Sequence, residues 1–141
     1  MFKTLLLAVD VNAPKGSARS AQAAISMARA EGATLHVLNV VPDTGMAIVG
    51  ASMAADSMKQ ALATARQELE SWAGATVPDD ITCKVHVAEG TVYDQIIKTA
   101  QTLDIDAIVV GAHRPELKDY LIGPNAARVA RHATQSVFVV R

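Results

Sequence analysis

Five residues, Ala107-Ile108-Val109-Val110-Gly111, constrain this chain more than any others. The first four are apolar without interruption. A strand with one face in water alternates polar and apolar side chains, whereas a strand covered on both faces need not. Residues 107–110 therefore read as an interior strand of a parallel sheet, with helices over both faces. The run stops at Gly111, where the missing Cβ lets the backbone turn and a ligand come close. A polar loop then leads to Gly123-Pro124-Asn125, after which Val129, Ala130 and Ala133 recur at helical spacing. The order is strand, glycine-containing loop, helix start. Unpaired N–H groups and the helix dipole make such a start attractive to phosphate.

The rest of the chain repeats the alternation of strand and helix. Lys3–Val9 is an apolar, β-rich run that ends in Asp10. Asn12–Ser17 reads as a loop broken by Pro14 and Gly16, with Ser17 placed to cap the next helix. Ala21, Ala24, Ile25 and Ala28 give that helix an apolar face, and Gly32 ends it. Ala33–Val41 is the second strand. Pro42–Ser57 is a long, low-charge connection that reads either as a loop with an irregular helix start or as a flap over a crevice. Ala54–Ala73 is helical, with Met58, Leu62, Ala65, Leu69 and Trp72 on one side. A loop from Gly74 to Asp80 contains Pro78. Ile81–Ala88 alternates as a strand, with Cys83 on its apolar side and His86 on the other. Thr91 is placed to cap the helix Val92–Leu103, packed through Ile96, Ile97 and Ala100. Asp104 and Asp106 form a surface turn, and Ser136–Val140 is a terminal strand.

This alternation predicts one α/β domain over residues 1–141. Right-handed crossovers then give an open, doubly wound, parallel five-stranded sheet of order 3-2-1-4-5, Rossmann-like. Ligands of such sheets bind at the carboxyl ends of the strands, where the order reverses. Here that crevice lies between the first and fourth strands, so Asp10 and Gly111 come together. Asp10 is either a turn residue or a carboxylate that accepts a ribose hydroxyl or holds a metal-bound water. Val41 closes the second strand and offers an adenine an apolar wall or backbone groups.

Composition narrows the field. Half of the 141 residues are apolar, which argues against disorder. The formal charge is −1 with no basic stripe, so nucleic acid is not expected as a partner. No apolar run reaches the roughly 18 residues of a membrane helix, and Asp10 interrupts the first apolar run, so neither a membrane span nor a signal peptide is expected. The single Cys83 has no internal disulfide partner and fits a reducing, cytoplasmic setting. It also lacks an activating base, and His86 with Glu89 lacks metal-ligand spacing. A lone strand histidine such as His36 reads as a packed residue. No P-loop and no G-x-G-x-x-G is found.

The segments Val109-Val110-Gly111-Ala112-His113-Arg114-Pro115, Tyr120–Ala127, Arg131-His132-Ala133 and Ser136–Arg141 resemble the C-terminal part of universal stress proteins. The branch with an "HRP" loop is the most similar, and Lys3–Asp10 also fits. The resemblance implies an adenine nucleotide, ATP with Mg²⁺ or AMP or ADP, in the crevice. It implies Ala8, Asp10, Val41 and Val110 around the nucleoside. Around the phosphates it implies Gly111, His113, Arg114, Gly123, Pro124, Asn125 and Ala126. It also implies a homodimer through Ser136–Val140. Nucleotide-binding members carry G-x-x-G-x9-G-[ST]. Gly111 and Gly123 match the outer glycines, the loop is one residue shorter, Arg114 replaces the middle glycine and Pro124 the hydroxyl residue. One amide donor and one hydroxyl are lost, each worth about 0.5–1.5 kcal/mol. A charge-assisted bond from Arg114 or Arg128 is roughly twice as strong as a neutral one, so the substitutions weaken binding without abolishing it. Three readings follow: a regulatory nucleotide-binding stress protein, a nucleotide-free dimeric interaction protein of the same fold, and a slow ATP hydrolase.

Overall fold

The computed structural model describes residues 1–42, 51–112 and 123–141, without the side chains of 51–54. Its elements are β1 (Thr4–Ala8), a 3₁₀ turn (Pro14–Ser17), α1 (Ala18–Glu31), β2 (Thr34–Val41), α2 (Ala51–Thr76), β3 (Cys83–Glu89), α3 (Val92–Thr102), β4 (Ala107–Gly111), α4 (Pro124–His132) and β5 (Ser136–Val140). Half of the expected flap Pro42–Ser57, residues 43–50, lies outside the described residues, as do His113, Arg114 and Tyr120, and the flap's residues from Ala51 on belong to α2.

All strand pairs are parallel, and the order is β3-β2-β1-β4-β5, as the alternation predicted. Successive residues of a strand point to opposite faces. In β1, Leu5 and Leu7 pack with Leu35, Val37 and Val109 beneath Ala21, Ala24 and Ala28 of α1 and Leu69 and Ala73 of α2. Leu6 points the other way and packs with Leu38, Ile108 and Val110 beneath Ile96 and Ala100 of α3 and Ala126 and Val129 of α4. Leu5, Leu6, Leu7, Ile108 and Val109 are wholly buried. The bare apolar runs thus reflect two helical layers, one on each side of the central strands.

Several boundaries differ from expectation. Residues 14–17 form a 3₁₀ turn rather than an open loop, started by Pro14, whose fixed φ suits a first helical position. Ser17 does not cap α1, because its own backbone is already helical (φ −98°, ψ −2°). Its Oγ instead lies 3.4 Å from the Asp10 N–H, a long contact that holds the post-β1 loop. Thr91 also makes no side-chain cap. The second helix passes through Gly74, where a loop was expected. Burial of Ala73 and Val77 against Leu69, with the Val77 N–H on the Ala73 carbonyl at 2.8 Å, outweighs the cost of a helical glycine. Gly32 ends α1 in the left-handed conformation (φ +65°), as its position implied.

The open ends of β1 and β4 are tied by Asp106. One carboxylate oxygen accepts the Lys3 N–H at 2.7 Å and the Thr4 N–H at 3.1 Å. These donors hold the Asp106 carboxyl below the usual carboxylate range. The unfolded chain lacks them, so the stabilisation is present above pH about 3.9 and is lost as pH falls through the lower folded value. Asp106→Asn should therefore lower Tm at pH 7, and the gap to the parent should narrow as pH falls below about 3.9. Thermal denaturation across that range checks this; a constant gap would refute the assignment.

Candidate functional site

The strand order reverses between β1 and β4, and among the described residues a cleft of about 630 Å³ opens there at the carboxyl ends of the strands. Register sets the floor. Leu7 pairs with Val109, so the next residues, Ala8 and Val110, come side by side, and both line the cleft. Leu38 and Val40 of β2 and Val92 and Ile96 of α3 complete an apolar wall.

The loop after β1 forms the polar side. Asp10 Oδ1 accepts the Asn12 N–H at 2.9 Å, and the Asp10 carbonyl accepts the Ala13 N–H at 3.1 Å. This turn fixes the aspartate while leaving its second oxygen without a hydrogen bond among the described residues. Asn39, only 4% exposed, lies 3.4 Å from the Val11 N–H through its Oδ1 and braces the loop from below. Lys15, in the 3₁₀ turn, is the one cation among the described residues that line the cleft.

The start of α4 forms the opposite rim. Gly123 is the cap residue (φ −67°, ψ 157°) and Pro124 is the first helical residue. The first intrahelical bond runs from the Ala127 N–H to the Gly123 carbonyl at 3.0 Å. The Asn125 and Ala126 N–H groups precede it and have no carbonyl partner within the helix. Both residues line the cleft. These donors and the positive end of the dipole suit an anion.

Of the residues singled out in the sequence, Ala8, Asp10, Val110, Gly111, Asn125 and Ala126 meet in this cleft. Gly123 and Pro124 stand behind its rim as the cap and first turn of α4. Val41 lines an adjoining hollow of about 470 Å³ between the end of β2 and α2, while its neighbour Val40 lines both. Lys15, Asn39 and Ser17 also line the cleft and were not singled out as site residues. The polar Asn39 within Val37-Leu38-Asn39-Val40-Val41 was a readable signal, since a buried amide in a strand needs a partner. Lys15 sits in a Pro-Lys-Gly-Ser turn at the crevice end of β1, which was the signal for it. Cys83 is half-buried on the other face of the sheet, and burial pushes its thiol up.

The universal stress protein family model matches residues 1–141. Universal stress protein G of Salmonella typhimurium is 32% identical over 144 residues, covering all of both chains. Among solved structures, UspA from Lactobacillus plantarum superposes with a TM-score of 0.65 at 25% identity, over 99% of this chain and 98% of that one. A universal stress protein in complex with cAMP gives 0.63 at 19% identity, over 99% and 97%. The Archaeoglobus fulgidus protein in complex with dAMP gives 0.60 at 20%, over 99% and 98%. The last two share the fold.

Gly111 is where β4 meets the loop after β1. A Cβ there would lie 3.4 Å from both the Gly16 carbonyl oxygen and Ser20 Oγ, at the limit of ordinary contact. Gly111→Ala should stay within about 0.5 kcal/mol of the parent. Gly111→Val should cost about 1–3 kcal/mol by overpacking. Urea denaturation of the two variants measures the difference.

Proposed function

The chain belongs to the universal stress protein family, and from that premise we propose that its cleft binds an adenine nucleotide, ATP in particular. The observation that carries this reading is the meeting, in one cleft, of Asp10, Gly111 and the open amides of α4. The unbonded Asp10 oxygen accepts a ribose hydroxyl. The base lies against the apolar wall of Ala8, Leu38, Val40 and Val110. The phosphates take the Asn125 and Ala126 N–H groups, with Lys15 and Arg114 as countercharge. The two structural neighbours described as complexes with cAMP and dAMP support an adenine ligand. Mg²⁺ fits this site as a companion of the phosphates. Among the described residues no three His, Cys, Asp or Glu side chains gather to hold a metal unaided.

The output is regulatory, and its setting is the cytoplasm. Nucleotide occupancy changes the surface around the cleft mouth and so reports on cell state. Among the described residues lining the cleft, Asp10 is the only acid.

Calorimetry with AMP, ADP and ATP, with and without Mg²⁺, tests the reading. Lys15→Ala should weaken ATP by about tenfold or more, the scale of a hydrogen bond to a charged group, and AMP by less. Absence of heat with all three nucleotides would refute it.

The proposal extends to a homodimer through β5. This strand has β4 on one side only, and Phe138 is 38% exposed, braced edge-on by Phe2 at 5.7 Å. An apolar edge invites pairing, and two-fold pairing is the commonest closure. Light scattering should give twice the 14.8 kDa chain mass. Phe138→Lys should give the chain mass itself.

A further inference from the structure

Two histidines distant in sequence meet away from the cleft. Nδ1 of His36 in β2 and Nε2 of His86 in β3 are 2.9 Å apart. Their rings stack with centroids 5.1 Å apart and planes 23° apart. Register explains the meeting: His36 pairs with Lys84 and Leu38 with His86, so the two rings are diagonal neighbours on one face. His36 is 7% exposed, and His86 is half-buried on the edge strand.

A hydrogen bond between two ring nitrogens needs one of them bare. The neutral pair and the singly protonated pair both meet that condition. With both rings protonated, every ring nitrogen carries a hydrogen, and the contact becomes two cations with N–H facing N–H. The surroundings do not relieve this. Lys84 lies cross-strand from His36. Arg66 reaches over from α2, its Nη1 3.5 Å from the Val85 carbonyl and 3.9 Å from Glu70. On the side of α3, Asp94 and Lys98 are paired with each other at 2.9 Å. From β1, the residue in register with His36 is Leu6. Among the described residues no carboxylate bonds to either ring. Burial first, and then the neighbouring positive groups, hold both imidazoles below their ordinary range.

We propose that the His36–His86 pair is an acid-labile latch, which holds edge strand β3 on β2 and releases it when both rings are protonated. Unfolded or released rings take up protons more readily than latched ones. The stabilisation is therefore full above pH about 6.5 and is lost as pH falls below it, toward the lower latched values. Leu38, cross-strand from His86, and its neighbours Asn39 and Val40 line the cleft, so release loosens one cleft wall. The latch itself stands whatever the cleft binds.

The test compares the parent chain with His86→Gln at pH 7.5 and pH 5.5. The parent should lose about 3 °C more in Tm on acidification than the variant does. Amides of Cys83–Glu89 in the parent should exchange at least tenfold faster at pH 5.5, relative to those of β1 and after correction for intrinsic rates. Equal Tm losses in the two proteins would overturn the proposal. Should His86→Gln not fold, proton NMR titration of the parent decides. Two rings that titrate independently near pH 6.5 would refute the latch, and two displaced, mutually dependent titrations would support it.

Discussion

Two-sided burial of β1 and β4 is the constraint on which the rest of this structure depends. A strand that is apolar on both faces is stable only with a helical layer above and below it. Here α1 and α2 supply one layer, α3 and α4 the other. To lay helices on both faces, the chain must wind outward from β1 twice, once toward β3 and once toward β5. The winding reverses between β1 and β4, and there, among the described residues, the cleft opens. The cleft is therefore a consequence of how the core is covered.

The same geometry sets the chemistry of the cleft. The carboxyl ends of β1, β2 and β4 line it, and so do Asn125 and Ala126 at the start of α4. Asp10 is held by its own turn, Asn39 supports the loop from beneath, and Lys15 supplies charge from the 3₁₀ turn. Family membership accounts for the fold. The proposed nucleotide reading rests on the division into an apolar wall, which suits a flat base, and a donor-rich rim, which suits an anionic tail.

The edges of the sheet differ in how they are closed. β5 carries an exposed phenylalanine and only one strand neighbour, while β3 is fastened to β2 by a pair of imidazoles. Both devices lie toward the edges, and as proposed above assembly acts at β5 and acid at β3.

Sequence alone determined the class of fold, the strand order and the crevice, because bare apolar runs and helical repeats are local patterns with few solutions in three dimensions. It also located Asp10, Gly111 and the α4 start, since each stands next to a strand end or helix start. It misjudged Ser17, whose capping role depends on a backbone angle that only the folded loop sets. It passed over Lys15 and Asn39, whose importance comes from facing a cleft made of four other elements. Tertiary structure alone decided that His36 and His86 are a pair. Fifty residues separate them in the chain, and contact between them depends on strand register, which is settled by side-chain packing across the whole sheet and not by either neighbourhood.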